Sequence, residues 1–214
     1  MLAPMIERVV EPEILDGLDP GDPAAVASRR DLRRINRAMG NERWILRQVR
    51  RQPERARRGM VELGAGDGWL ANRLCGFGDT LGVDLAPRPG GARPELRWHQ
   101  GDLFEAGPLE GGILVASLFL HHFEAGRLAA IGRLAEGFGM LLFTEPLRTR
   151  GSLRLGKLVL PFVSRVTKHD MPVSIRAGFV PGELAELMGL SAGRWRVSER
   201  STWRGGLRML ACRT

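Results

Sequence analysis

Apolar and polar positions along this chain follow two periods in turn. Short strand-length stretches stand at 60–63, 80–85, 95–99, 113–117 and 139–144, most of them apolar, with Gly, Pro or Asp near most of their ends. Between and after them, 68–75, 124–136 and 181–190 place apolar residues at helical spacing. The short runs predict strands and the longer stretches predict helices. The run Ile113 to Ser117 has no polar break before its last residue, as in a strand buried on both faces. Alternating strands and helices predict a parallel, doubly wound α/β sheet.

The pattern changes at both flanks. Residues 1–23 are rich in Pro and Asp and read as an extended arm with turns. Asp22-Pro23 predicts a helix start, and Val26, Leu32, Ile35 and Met39 form its apolar stripe. Gly40-Asn41 interrupts it, and a second helix follows over 42–51 with Trp44, Ile45 and Val49 inward. Residues 147–178 break the alternation with leucines and valines flanked by Arg148, Arg150, Arg154, Lys157 and Arg165, and Pro161 ends or kinks any helix there. Residues 194–203 and 207–213 alternate apolar and polar residues around Gly205-Gly206, which predicts an antiparallel hairpin. The expected organisation is an arm and helical cap over 1–55 and a sheet domain over 56–214, with a lid insertion at about 147–178.

The stretch Met-Val-Glu-Leu-Gly-Ala-Gly-Asp-Gly-Trp-Leu, residues 60–70, reads as strand, tight turn and helix. Glycines there let a ligand approach the main chain, and the helix start offers unpaired N–H groups. A dinucleotide fingerprint would need its third glycine where Trp69 stands. Instead Glu62 precedes Gly64, Gly66 and Gly68, and an acid at that place suits a cofactor with a cationic amine. Glu62, Asp84, Asp102 and Ser117 all fall at or just beyond predicted strand ends, where such sheets bind ligands.

These residues resemble motif I of the class I S-adenosylmethionine-dependent methyltransferases. Val83-Asp84-Leu85 and Gly101-Asp102-Leu103 resemble the second and third motifs. Ala116 to His122 resembles the SxxLHH region of small-molecule methyltransferases of the ubiquinone/menaquinone biosynthesis type. The resemblance covers about residues 58–146 and implies the Rossmann-like, seven-stranded, mostly parallel sheet of that family, with the hairpin as its last strands. It implies S-adenosylmethionine as cofactor. Gly64, Ala65 and Gly66 would face the methionine part and ribose, and Asp84 the ribose hydroxyls. Asp102 would meet the adenine amino group, Leu85 and Leu103 its two faces, and Ser117 would close the far side. Family members usually carry Asp where this chain has Gly112, a departure expected to weaken the loop.

Composition narrows the classes further. Two cysteines far apart, with no CxxC, imply a reduced, cytoplasmic protein without a structural zinc site. No run is long and apolar enough to cross a membrane. The net charge of +8 suits nucleic acid or anionic lipid, but only Lys157 and Lys168 are lysines, so the charge is arginine spread over the surface. Aromatic residues do not interleave with it as a nucleic-acid platform needs. RNA methylation, and a non-catalytic protein held on a membrane surface by 148–165, are the alternatives.

A hydroxyl acceptor needs a base, and His121, His122 and His169 are the candidates. Neighbouring histidines on an extended chain point oppositely, and without a third ligand no metal is expected. The apolar lid predicts a hydrophobic or aromatic small-molecule acceptor, methylated on oxygen, in secondary metabolism. Asn36 and Arg176 are its expected contacts.

Overall fold

The computed structural model describes residues 7–19 and 21–214. Seven strands form one sheet: β1 (Met60–Leu63), β2 (Thr80–Asp84), β3 (Arg97–Gln100), β4 (Gly111–Ser117), β5 (Phe138–Pro146), β6 (Trp195–Ser201) and β7 (Gly206–Arg213). Their order is β3-β2-β1-β4-β5-β7-β6. The first five are parallel, and β7 runs antiparallel between β5 and β6, so the doubly wound sheet and closing hairpin are as expected. The strand order reverses between β1 and β4. That switch point opens a crevice at the carboxyl ends of both strands.

Period-two alternation splits the core in two. Ile113, Val115, Met140 and Leu142 pack with Ile45, Val49, Leu70 and Leu74, from α2 (Asn41–Arg50) and α4 (Trp69–Leu74). Leu114, Ala116, Leu141 and Phe143 face the other side. There Leu128 and Ile131 of α5 (Ala125–Leu134), Phe179 and Leu184 meet them.

Asp22 caps α1 (Pro23–Met39) by accepting the Ala24 N–H at 2.7 Å. The buried face of this helix differs from the predicted stripe. Ala25, Ser28 and Asp31 are buried, whereas Val26 is 53% exposed. The helix rests on another helix through polar contacts rather than on the apolar core. Ser28 Oγ lies 2.9 Å from Thr167 Oγ1, and Asp31 accepts the Ser164 N–H at 2.7 Å, at the start of α7 (Arg165–Ala177).

The insertion is α6 (Arg150–Val159), a 3-10 turn carrying Pro161, and α7. Its two ends meet. Phe179 N–H donates to Pro146 O at 3.0 Å, and Arg148 N–H to Phe179 O at 3.0 Å. The buried Arg148 guanidinium donates to Gly178 O at 3.0 Å and to Glu183 of α8 (Glu183–Leu187). The insertion is therefore a closed excursion from the end of β5.

A short helix absent from the sequence reading, α3 (Pro53–Arg57), lies across the start of β4. A Cβ on Gly112 would come within 1.8 Å of Arg55 O, and the Gly112 N–H donates to Gly59 O at 2.8 Å. The glycine is thus a requirement of backbone packing, and the expected weakening of this loop is corrected: no aspartate fits there. Gly112→Ala is expected to cost about 3 kcal/mol, the upper range for overpacking, read as a lower urea midpoint. An unchanged midpoint would show that α3 does not lie on β4.

Candidate functional site

The glycine turn leaves β1 with Gly64, Gly66 and Gly68 at φ of 64°, 55° and 70°, a region that L side chains rarely enter. Gly64 has a second reason to lack a side chain. Its Cβ would fall 2.1 Å from the ring of Phe119, which lies on the turn from the end of β4.

Glu62 is buried at the floor of this turn. It accepts the Ala71 N–H in the first turn of α4, a helix whose cap, Gly68, has no side chain to offer. Its Oε2 has no hydrogen-bond partner. Burial, and then the negative charges of Asp67, Asp84 and Glu42, push its pKa well above the usual carboxylate range. A chain of net charge +8 has therefore gathered acids at this turn.

At the end of β2, Asp84 accepts the Gly66 N–H at 2.7 Å through Oδ2 and the Ala86 N–H at 2.8 Å through Oδ1. Each oxygen keeps capacity for another donor. The Gly101 N–H donates to Asp84 O at 2.9 Å, which brings Asp102 beside it. Asp102 accepts the Phe104 N–H at 3.0 Å and lies 3.6 Å from the Arg127 guanidinium. The two leucines expected as a sandwich are placed differently. Leu85 is 75% exposed at the rim, whereas Leu103 belongs to the buried core.

Beyond β4, Ser117 Oγ lies 3.0 Å from Thr144 Oγ1 and accepts from Asn36 Nδ2 at 3.3 Å. Asn36 thus reaches the strand end from α1, and its buried Oδ1 has no partner. Arg176 stands elsewhere, 3.8 Å from Glu11 on the N-terminal arm. His169 is also remote from these groups. It is exposed, with Nδ1 2.9 Å from Asp170, whose carboxylate accepts the Ile14 and Leu15 N–H groups.

His121 and His122 lie in a 3-10 turn, Leu120–His122, and not on an extended segment. Their rings are 4.3 Å apart and tilted by 33°, which corrects the expectation that they point oppositely. His121 is 3% exposed, with Nδ1 2.7 Å from Glu145 and Nε2 3.5 Å from Glu13. Burial works against the charged ring, but hydrogen bonds and charge from Glu13 and Glu145 overcome it and raise its pKa from 6.5 to about 9. The ring holds its proton at neutral pH, which suits a structural cation better than a base. His122 keeps partial exposure, with Nδ1 3.3 Å from Asp16.

Glu145, Glu13 and Phe119 were missed from sequence. Glu145 stood at the end of a predicted strand, a position that elsewhere marked site acids. Nothing local ties Glu13 to residues 108 positions later.

No protein-family profile and no curated protein sequence matches the chain. Solved structures do. The plantazolicin methyltransferase BpumL in complex with SAH superposes with a TM-score of 0.64 at 10% identity, over 91% of each chain. The pyocyanin biosynthetic protein PhzM gives 0.59 at 17% identity, over 91% of this chain and 60% of its own. Magnesium protoporphyrin IX methyltransferase (ChlM) from Synechocystis PCC 6803, with bound SAH, gives 0.55 at 14% identity, over 94% and 91%.

The chain has the class I methyltransferase fold.

In this methyltransferase fold the Gly66 N–H ties the glycine turn to Asp84, the Gly101 N–H ties the segment of Asp102 to Asp84 O, and the Leu120–His122 turn is anchored by Glu145. The anchor makes a pH prediction. A cationic partner whose folded pKa is raised contributes stability that is complete below its unfolded value and lost as pH rises through the folded one. Stability by urea unfolding in EDTA is therefore expected to fall between pH 6.5 and about 9, by an amount on the order of 3 kcal/mol, and His121→Gln to flatten that slope. Equal slopes in both proteins would remove His121 as the cause.

Proposed function

We propose that the chain is an S-adenosylmethionine-dependent methyltransferase acting on a small hydrophobic or aromatic acceptor. The observation that carries this is the partnerless, buried Oε2 of Glu62 among further acids at the glycine turn. A buried acceptor without a donor is costly, and an ammonium group would satisfy it. The residues present fit the cofactor in the rest of the crevice as well. The turn glycines admit close approach, the two Asp84 oxygens suit a ribose diol, and Asp102 suits an adenine amino group. Exposed Leu85 would meet one adenine face, while Leu103 lies in the core beneath.

When bound, the cofactor supplies an already activated sulfonium methyl. The chain's own task is then alignment and exclusion of water. Ser117, Thr144 and Asn36 form a hydroxyl and amide cluster at the end of β4, and Asn36 Oδ1 is free to accept a hydrogen bond from the acceptor. This reading gives Arg176 and His169 no contact with the acceptor and gives proton removal to none of the three histidines. It favours methylation of an oxygen that ionises readily, a phenol or carboxyl. The names of the similar structures support a small-molecule acceptor.

A second reading, RNA methylation, is favoured by two adjoining cavities of about 340 and 240 Å³ that share Arg37 and are lined mainly by arginines, among them Arg33, Arg43 and Arg47. It predicts RNA binding that weakens steeply with salt. Among the described residues no helix is long and apolar enough to cross a membrane, but Leu158 and Phe162 are 71% and 81% exposed beside Lys157 and Arg165, a face suited to peripheral lipid contact.

Calorimetry with S-adenosylhomocysteine tests the main reading. Wild type should bind, and Asp84→Ala should bind about 10- to 100-fold more weakly. Absence of heat with wild type would refute the cofactor assignment.

Glu62→Gln separates binding from folding. A carboxylate whose folded pKa is raised burdens the native state as pH rises past its unfolded value. The variant should therefore be more stable than wild type at pH 8 without ligand, yet bind the cofactor product more weakly. Unchanged affinity would deny Glu62 its contact.

A further inference from the structure

We propose that Glu13, His121 and His122 form a binding site for a single divalent metal ion of the zinc class. One potential ligand atom from each lies within 4.8 Å of the others. Two imidazoles and one carboxylate are a donor set that zinc uses when it keeps a fourth position open. The set is assembled by tertiary structure, since Glu13 comes from the N-terminal arm and both histidines from the turn after β4.

Three features go beyond proximity. Glu145 Oε2 lies 2.7 Å from His121 Nδ1, so Nδ1 carries a hydrogen, and an entering ion would release the second ring proton from Nε2, the atom turned to the cluster. A carboxylate behind a histidine in this way orients the ring and strengthens it as a ligand. Next, His121 Nε2 and Glu13 Oε1 are 3.5 Å apart. At that length the hydrogen bond between them is weak. The separation is close to the ~3.3 Å that separates two ligands on a tetrahedral ion with bonds of about 2.0–2.1 Å. Finally, Glu13 is itself held, because the Ser174 hydroxyl donates to its Oε1.

Closing the set needs His122 to move in, and this is the least constrained member. Its ring is partly exposed, and Asp16, more than half exposed, stands 3.3 Å from its Nδ1. That exposed side gives an ion its entry and a fourth oxygen or water its place. An ion here would staple the arm to the turn that carries Phe119 over Gly64. The site is independent of the methyltransferase reading, because its test reads metal and not methyl transfer.

Full-length protein stripped with a chelator is titrated with Zn²⁺ by calorimetry and with Co²⁺ by visible absorption. One equivalent of Zn²⁺ and the intense bands of tetrahedral Co²⁺ are expected. His122→Ala and Glu13→Gln, each with a wild-type circular dichroism spectrum, should weaken binding at least about 100-fold, while His169→Ala leaves it unchanged. Zn²⁺ should also slow hydrogen exchange at the Ile14 and Leu15 amides in wild type but not in Glu13→Gln. No stoichiometric binding, binding that survives both ligand variants, or binding lost with His169 would overturn the proposal.

Discussion

The carboxylate of Glu145 is the interaction on which the site depends. It sits fully buried near the end of β5 and accepts the N–H groups of Phe119, Leu120 and His121 as well as the His121 ring. Three backbone amides and a cationic ring neutralise a charge that burial alone would not permit. They also hold the chain through Leu118, whose φ of 55° is uncommon for a residue with a side chain. That bend places Phe119 on Gly64, so the glycine turn after β1 is shaped from β5, two strands away in the sheet. Strain is kept where the surrounding contacts over-determine it.

The crevice itself is built against the charge of the molecule. Arginines dominate the surface, yet Glu62, Asp67, Asp84 and Glu42 gather at the glycine turn. Arg33 and Arg73 pair with Asp67 and Glu42 at its rim and leave Glu62 without a cation. Burial and the neighbouring charges together raise the pKa of Glu62, a cost that the glycines of the turn do not carry.

Polar contacts also decide how the covering elements sit. The helix α1 meets α7 through Ser28, Asp31, Ser164 and Thr167. The arm meets the same helix, α7, through Asp170, which takes the Ile14 and Leu15 amides. Hydrogen bonds have one geometry where apolar faces have many, so these contacts set the position of Asn36 over Ser117. They also carry Glu13 to His121.

The sequence by itself determined the sheet, the glycine turn and the acids at the strand ends. Each is recorded locally: runs of strand length, glycines at alternate positions, an acid within two residues of a strand's end. It also determined the hairpin and the capped start of α1. The buried face of α1, the short helix α3 and the need for Gly112 were decided only in three dimensions, because each answers to a partner distant in sequence. The histidines show the same division. Their residue types and position after β4 were legible, but their direction depends on whether the backbone there is extended or turned. That is settled by Glu145 more than twenty residues on, and their company by Glu13 more than a hundred residues before. Charge and burial meet at those contacts, and neither is a property of a single stretch of chain.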